Sequence, residues 1–382
     1  NMELEETEVE AKNGLNVVTT IDSDAQKMTE DIIADYQKTE GAENVGIILM
    51  NPNNGEIYVM ASNKGYDLNN PRDLTGYFSQ KEIDSMSDDK KLEELSNIWK
   101  NYCTSDIYEP GSTFKPFTVA ACLEENVVKK KQQFYCKGYE IVMDRKIRCA
   151  KRDGHGMITL SQSIEQSCNV TMMQIVRKLG RKDFARYQDI FGIGSRTGID
   201  FPGETTGLVY NEAQLNPVEL ATSSFGQSVS VTMIQMAAGF SSLINGGTYY
   251  KPHLVKELVD DNGVVVEKKE PVVMKKTVTK DTSEFIQKAL YETVEQGSGW
   301  RAKSEGYKMA GKTGTAQKLD NINGKLVRSD TNYVISFIGC APYDNPQVVV
   351  YVVVDQPKVK DQTANGIASA LAKKVAENVF KV

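Results

Sequence analysis

The stretch Tyr108-Glu109-Pro110-Gly111-Ser112-Thr113-Phe114-Lys115 decides both the fold and the chemistry of this chain. A serine and a lysine lie three residues apart, directly after a Pro-Gly break. If a helix begins at Ser112, the two side chains lie on one helix face. A buried lysine with a lowered pKa can take the proton of the serine hydroxyl and make it a nucleophile. The free N–H groups at the helix start can stabilise an oxyanion.

The spacing alone does not settle the matter, because the chain contains it twice. Ser87 and Lys90 lie in the acidic run Ser87-Asp88-Asp89-Lys90. A serine that caps a helix, followed by a lysine at the surface, is the ordinary meaning of this pattern. We therefore expect Ser87 to be a capping residue, and further motifs must distinguish Ser112 from it.

Two further motifs follow the first in the chain. Ser167-Cys168-Asn169 lies in or after a helix predicted to begin near Leu160, and Lys312-Thr313-Gly314-Thr315 opens a predicted strand. Ser167 could relay a proton to a leaving group. The Asn169 amide can both donate and accept hydrogen bonds, which suits a peptide backbone.

The third motif predicts a binding surface for an anionic substrate. Lys312 is a second cation that would help to lower the pKa of Lys115 and attract a carboxylate. Thr313 and Thr315 offer hydroxyl groups to that carboxylate, and Gly314 lets a substrate approach the strand. The backbone N–H groups of Ser112 and Thr315 would form an oxyanion hole, each donor contributing roughly 3 kcal/mol.

Composition excludes several classes of protein. The chain has 382 residues, a net charge of −6 and a pI of about 5.3, so nucleic acid is not an expected partner. The longest apolar run, 348–354, has the length of a strand rather than a membrane span. Only His155 and His253 could serve a Ser-His-Asp triad, and neither lies in a supporting motif.

The periodicity predicts an α+β fold. Strands near both ends of the chain would form an antiparallel sheet flanked by helices, with a mainly helical subdomain inserted. We expect the sheet subdomain at 16–62 and 297–382, the helical subdomain at about 108–296, and a tail or remnant of an upstream region at 1–15. Helices are predicted at 112–125, 160–180, 181–191, 232–245 and 280–296.

The three motifs together resemble the transpeptidase domain of class B penicillin-binding proteins, within the penicillin-binding and serine β-lactamase-like fold. The likeness is strongest to the elongation-type and stage V sporulation protein D groups, and it covers the chain from Val17 onward. Further matching segments are Tyr108–Lys115, Leu220–Gln227, Asn245-Gly246-Gly247 before Lys251-Pro252, and Ala310–Gln317.

This resemblance implies a peptidoglycan D,D-transpeptidase that cross-links stem peptides through a serine acyl-enzyme and is inhibited by β-lactams. It also implies a location at the outer face of the cell membrane, an anchor outside this chain, and a cell-wall polymerase of the elongation or sporulation machinery as partner. The resemblance does not separate a role in vegetative growth from one in sporulation.

Three rival functions keep the same motifs. A D,D-carboxypeptidase or β-lactamase would pass the acyl group to water, a β-lactam sensor would acylate once and signal, and a silent scaffold would not react. Glu212 resembles a deacylating glutamate of β-lactamases, but its neighbours match the penicillin-binding pattern, so we interpret it as a chance similarity.

A second cluster consists of Cys136, Cys149, His155 and Cys168, with twelve, five and twelve residues between them. Three thiolates and one imidazole are a typical tetrahedral Zn²⁺ ligand set. We expect a structural zinc, because four protein ligands leave no position for a catalytic water. Some elongation-type relatives are similar in carrying a metal here. The alternatives are a Cys136–Cys149 disulfide, free thiols, or substitution of one ligand by Asp144 or Asp153.

Overall fold

The structure is a computed structural model that describes residues 13–322, 325–363 and 366–379. The helices within them are α1 Ser23–Thr39, α2 Gln80–Ser85, α3 Asp88–Ile98, α4 Tyr102–Ser105, α5 Lys115–Glu124, α6 Leu160–Glu165, α7 Asn169–Ile190, α8 Pro217–Ser223, α9 Met233–Ile244, α10 Lys280–Glu295 and α11 Ile367–Val379. The strands are β1 Asn16–Thr19, β2 Ala42–Met50, β3 Ile57–Ser62, β4 Gln133–Cys136, β5 Tyr139–Val142, β6 Arg145–Arg148, β7 Gly156–Thr159, β8 Thr248–Tyr250, β9 Val255–Val259, β10 Val265–Lys268, β11 Val273–Lys276, β12 Ala310–Ile322, β13 Lys325–Ala341 and β14 Val348–Pro357.

A five-stranded antiparallel sheet in the order β12-β13-β14-β2-β3 forms the centre. Pairing of β14 with β2 joins the two ends of the chain into one sheet. Helices α1 and α11 cover one face, and α9 packs on the other. The predicted α+β class, with an antiparallel sheet flanked by helices, is confirmed. Strand β12, which carries the third motif, lies at the edge of the sheet.

The apolar run in β14 is explained by burial on both faces of the sheet. Successive strand side chains point to opposite faces. Val350, Val352 and Val354 belong to the hydrophobic cluster that includes α1 and α11. Val349, Tyr351 and Val353 belong to the cluster that includes helices α5, α7 and α9. A strand between two cores needs no polar alternation.

Helix α5 lies inside the helical subdomain, where it packs against α7, α9 and α10. All its residues from Lys115 to Leu123 are buried. A helix that is apolar on every side is stable only when surrounded by protein. The fold therefore removes Lys115, the first residue of α5, from water.

Two sequence-based boundaries differ from the structure. The segment after residue 16 does not join the main sheet: β1 pairs with β9 in a separate sheet of three strands. The helix predicted at 160–180 is interrupted, since α6 ends at Glu165 and α7 begins at Asn169. The predicted division between residues 180 and 181 is confirmed, because Gly180 within α7 has a non-helical φ of 79° and marks a kink between two helical segments. No helix among the described residues is long and apolar enough to cross a lipid bilayer.

Candidate active site

Ser112 lies in a short 3-10 helix, Gly111–Phe114, that leads into α5. The backbone N–H of Lys115 donates a hydrogen bond to the carbonyl of Ser112. A 3-10 helix has three residues per turn, so side chains at positions i and i+3 lie directly above one another. This geometry aligns Ser112 with Lys115 more closely than the α-helix that the sequence predicts.

The 3-10 helix Gly111–Phe114, here called the serine turn, packs against two other backbone segments. The N–H of Gly111 donates to the carbonyl of Gly226 over 2.9 Å. Gly111 has a φ of 57°, and a Cβ there would lie 2.5 Å from the carbonyl oxygen of Thr315. Only glycine permits this approach. The contact brings together the backbones of Ser112 and Thr315, the two predicted oxyanion donors.

Lys115 is fully buried and bonds to the second motif. Its Nζ donates to the backbone carbonyl of Ser167 over 2.6 Å and to the Ser167 Oγ over 3.0 Å. Burial lowers the pKa of Lys115 to about 8, because a charged amine is poorly solvated inside the protein. The lysine can therefore lose its proton near neutral pH, as a general base must.

The second motif occupies the break between α6 and α7. Ser167 has a φ of 56°, a strained value for a residue other than glycine, and this turns its side chain and carbonyl towards Lys115. Cys168 caps α7, with its Sγ accepting from the Thr171 N–H. Asn169 is partly buried, and its Nδ2 donates to the backbone carbonyl of Arg148.

Lys312 is also fully buried, with its Nζ near Ser298 Oγ at 3.4 Å and Thr313 O at 3.1 Å. Burial lowers its pKa well below the usual range, and the charge of Lys115 lowers it further. The sequence-based expectation was that Lys312 would lower the pKa of Lys115. Repulsion between two like charges acts on both lysines, and burial is the main cause of the lowered pKa of each.

Gly314 serves contact between protein segments, a reason that the sequence did not suggest. A Cβ at this position would lie 2.3 Å from Ser336 Oγ and 2.7 Å from the Pro110 carbonyl. The serine turn fills the space on the side where this Cβ would lie. Gly314 also lines, together with Thr313 and Thr315, a cavity of about 280 Å³ beside β12, so the approach of a substrate to Gly314 stays a prediction.

Ser298 was missed by the sequence analysis, whereas Trp300 was considered either as lining the entrance to the strand of the third motif or as a core residue. Ser298 lines the cavity and contacts both Lys312 Nζ and Thr313 Oγ1 at 3.4 Å. Its position in the run Gly297-Ser298-Gly299 was a usable signal, since small residues allow close approach. Trp300, in the 3-10 helix Trp300–Ala302, lines the same cavity and is 61% exposed.

Glu109 is a second residue that the sequence analysis left without a role. Its carboxylate forms a two-point ion pair with the Arg328 guanidinium, and its Oε1 accepts from the Ser228 N–H over 2.8 Å. Arg328 also donates to the Gln317 carbonyl. Glu109 thus joins the serine turn to β12 and to the segment after Gly226.

The four predicted metal ligands come from the end of β4, the residue after β6, the residue before β7 and the N-cap of α7. Their ligand atoms all lie within 4.8 Å of one another, and the three cysteines are buried. His155 Nδ1 lies 3.4 Å from Cys136 Sγ and 3.6 Å from Cys149 Sγ, and Cys149 Sγ lies 4.0 Å from Cys168 Sγ. None of the six cysteines forms a disulfide, so the Cys136–Cys149 disulfide is not present.

Ser87 and Glu212, which we interpreted as lying outside the site, each have a local structural partner. The Ser87 side chain accepts from the Lys90 N–H and caps α3. Glu212 is exposed, and its carboxylate lies 4.0 Å from Arg181.

Comparison with known proteins identifies the family. The penicillin-binding protein transpeptidase domain family matches residues 45–379. The chain belongs to this family. It is 39% identical over 362 residues to stage V sporulation protein D of Bacillus subtilis, which covers 94% of this chain and 52% of that protein. It is 28% identical over 370 residues to penicillin-binding protein PbpB of Mycobacterium tuberculosis, covering 94% of this chain and 51% of the relative.

Solved structures of the family agree with this fold. Penicillin-binding protein 3 of Mycobacterium tuberculosis in its apo form aligns with a TM-score of 0.84 at 27% identity, over 98% of this chain and 81% of that one. The same protein in complex with aztreonam aligns with a TM-score of 0.83 at 26% identity, again over 98% of this chain and 81% of that one. The chain spans about half the length of the two curated relatives named above.

Proposed function

We propose that this domain is a serine D,D-transpeptidase that cross-links peptidoglycan stem peptides and is acylated by β-lactams. The observation that carries the proposal is the burial of Lys115 one 3-10 turn from Ser112, in contact with Ser167 and with a pKa of about 8. A related protein of Mesostigma viride is named a peptidoglycan D,D-transpeptidase, which supports the same reaction.

Acylation begins with neutral Lys115, which is about one tenth of the molecules at pH 7. Lys115 takes the proton of Ser112 as the Oγ attacks the carbonyl carbon of the penultimate D-Ala. The N–H groups of Ser112 and Thr315 stabilise the resulting oxyanion. The bond to the terminal D-Ala nitrogen breaks, and that nitrogen receives a proton from Lys115 through Ser167.

Substrate charge completes the site. The terminal carboxylate of the donor binds near Thr313, Thr315 and Lys312. A carboxylate opposite Lys312 favours its charged form and offsets the lowering of its pKa by burial. In the second half-reaction an acceptor amine attacks the ester on Ser112, the ester bond breaks, and the serine oxygen regains a proton.

The experiment that tests the proposal is intact mass against time after mixing the domain with a penicillin. We expect a stable adduct of one penicillin on the parent and on Ser87→Ala, which has the same residue change at the second match. Ser112→Ala should form none. An adduct on Ser112→Ala would overturn the assignment of the nucleophile.

The rival functions give different results in the same system. An adduct that disappears within seconds while the penicillin is consumed would identify a β-lactamase-type hydrolase. Supplying a D-Ala-D-Ala donor with an acceptor amine separates the others: a transpeptidase forms the cross-linked product, a carboxypeptidase releases only D-Ala, and a sensor forms neither. The parent and Ser87→Ala should give the cross-linked product.

We further propose that Cys136, Cys149, His155 and Cys168 hold a structural Zn²⁺. With Zn–S bonds of about 2.3 Å and Zn–N bonds of about 2.0 Å, a tetrahedral site separates two sulfurs by about 3.8 Å and a sulfur from a nitrogen by about 3.5 Å. The distances of 4.0, 3.6 and 3.4 Å between these ligand atoms fit that geometry. The ion would fix Cys168, and through it the neighbours Ser167 and Asn169.

Elemental analysis of the purified domain tests the metal. We expect about one zinc per chain, its loss in Cys149→Ser, and a lowered melting temperature in that variant. Cys122→Ser changes a buried thiol outside the cluster and should keep the metal. A parent protein that is metal-free, fully folded and active, or one with a disulfide within the cluster, would contradict the proposal.

We also propose that the domain works at the outer face of the cytoplasmic membrane beside a cell-wall polymerase, held there by an anchor outside these residues. The location of peptidoglycan supports this setting. The 39% identity to stage V sporulation protein D supports a role in sporulation. Deletion of the gene, followed by counts of vegetative growth and of heat-resistant spores, would separate this role from one in vegetative growth.

A further inference from the structure

We propose that a basic cleft beside the active site binds a carboxylate of the donor peptide upstream of its D-Ala-D-Ala terminus. This inference rests on the proposed transpeptidase function and adds a specificity-determining site to it. The cleft has a volume of about 390 Å³. Its basic rim consists of Arg145, Lys146, Arg148 and Arg152, and the side towards the motifs includes Asn169 and Gln317.

One face of strand β12 extends from the catalytic site to the basic cleft. Alternate residues of a strand share one face, so Thr313, Thr315 and Gln317 form one row. Thr313 and Thr315 line the cavity beside Lys312, whereas Gln317 lines the basic cleft. Four residues of strand span about 13 Å. A donor extended along this edge strand, with its terminal carboxylate at Thr313, therefore places an earlier residue at the cleft.

A hydrogen bond from Asn169 of the second motif holds the basic cleft next to the catalytic site. Asn169 Nδ2 donates to the backbone carbonyl of Arg148 over 3.3 Å. The β5–β6 hairpin, which carries the basic residues, is thus joined directly to a residue predicted to contact the substrate backbone. The side chain of Arg148 leaves the main chain at this junction.

The charge of the cleft is local and lacks a partner within the protein. Residues 137–152 contain six basic and two acidic residues, in a chain whose net charge is −6. Among the described residues, Arg145, Arg148 and Arg152 form no ion pair, whereas Arg186 and Arg328 each do. All three unpaired arginines are exposed. Guanidinium groups left free around a cleft fit a planar carboxylate, which they can bind through two hydrogen bonds.

Lys146 is less available than the arginines. Its Nζ lies 4.0 Å from the centre of the Tyr139 ring, where the aromatic face attracts the cation. We therefore assign recognition of the carboxylate to Arg148 and Arg152.

Paired donors test this assignment. Two peptides ending in D-Ala-D-Ala differ only at the third residue from the C-terminus, whose side chain ends in a carboxylate or in the matching carboxamide. A second pair carries the same change on the fourth residue, which distinguishes the two possible sources of the carboxylate. The measured quantity is the rate of acylation of Ser112 at low donor concentration and low salt, by intact mass.

We expect the acid donor of one pair to react about fivefold faster than its amide, the size of a partly exposed ion pair. Arg148→Gln and Arg152→Gln should each reduce this preference, and 0.5 M salt should reduce it in the parent. Lys151→Gln removes the same charge from the same loop outside the cleft and should keep it. Zinc content is measured in each variant, so that loss of the neighbouring cluster is recognised.

Equal rates for acid and amide in both pairs, or an unchanged preference in Arg148→Gln and Arg152→Gln, would overturn the inference. Both results leave the proposed function intact, because Ser112 is still acylated by the peptides. Absence of acylation by peptides and by penicillin alike would instead contradict the proposed function. The penicillin reaction of the parent therefore separates the two failures.

Discussion

Ser87 and Lys90 have the same spacing as Ser112 and Lys115, yet the two lysines lie in opposite surroundings. The Lys90 side chain is 47% exposed and pairs with Glu94 and Glu93, whose hydrogen bonds raise its pKa. Lys115 has no exposed surface, and burial lowers its pKa to about 8. Both serines stand at the start of a helix, but only one precedes a helix that is buried on every side.

The difference teaches that the pattern supplies alignment and the fold supplies reactivity. Ser87 caps a helix, and Lys90 stays charged in water. Lys115 is buried in the core, away from water, and Ser167 holds its amine by two hydrogen bonds. Four predictions would break or sharpen this comparison.

The largest effect is expected from replacing the two lysines in turn by methionine. Lys115→Met removes the general base, so acylation by penicillin should fall about a thousandfold, whereas Lys90→Met should leave it unchanged. In the parent the acylation rate should rise with pH through about 8, as Lys115 loses its proton. Stopped-flow or quenched mass measurements between pH 6 and pH 9 give both results. A flat profile would show that Lys115 is not the base.

The same substitution should stabilise the fold. The folded pKa of Lys115 is about 8 and its ordinary value is 10.5, so at pH 7 the protein holds a buried charge that costs on the order of 3 kcal/mol. Between pH 8 and 10.5 the unfolded chain binds the proton that the folded chain has lost, and this group makes the free energy of unfolding rise with pH.

Urea denaturation against pH measures that contribution. Lys115→Met should be more stable than the parent at pH 7, and the difference should shrink as the pH approaches 10.5. Lys90→Met is the control, because its exposed amine should give little difference at any pH. A less stable Lys115→Met at pH 7 would show that the lysine is not strained by burial.

A smaller effect is expected at the ion pair that anchors the serine turn. Glu109→Gln keeps the shape of the side chain but leaves Arg328 without its counter-charge. Acylation at saturating penicillin should fall about tenfold, the loss of one charged hydrogen bond. Glu125→Gln breaks a comparable pair with Arg186 away from the site and is the control. Equal rates in the two variants would show that Glu109 does not position the turn.

The smallest effect is expected from Ser87→Ala. Loss of the cap should lower the stability of the fold by about 1 kcal/mol, with no change in acylation. Thermal unfolding and the penicillin reaction, measured on the same sample, test both parts. A slower acylation would mean that Ser87 has more than a capping role.

The sequence predicted which segments form this site better than it predicted their contacts. The three motifs lie together in the structure, since Lys115 contacts Ser167 and the Gly111 backbone packs against Thr315. The sequence did not show that the Pro110 carbonyl, which is distant in the chain, lies beside Gly314. Long-range packing of this kind leaves no periodic signal.

The lack of information about long-range packing in one sequence also explains the other differences between prediction and structure. Strand β1 looked like a member of the main sheet because its apolar alternation does not specify a partner. The break at Ser167 was missed because the residues on both sides favour a helix. Glu109 and Arg328 are separated by 219 residues, so one sequence cannot show that they pair. The convergence of Cys136, Cys149, His155 and Cys168 was predicted because cysteine and histidine are rare in this chain and chemically specific.

The close contact at Gly111 has a consequence for antibiotic resistance. A Cβ at Gly226 would lie 2.1 Å from the Gly111 carbonyl, and a Cβ at Gly111 would lie 2.5 Å from that of Thr315. No side chain fits at either glycine without moving the nucleophile away from its oxyanion donors. Drug selection therefore has no viable substitution at these two positions. Under the proposed function, we expect escape mutations at the rim of the cavity beside Thr313 and Thr315 and at the rim of the basic cleft.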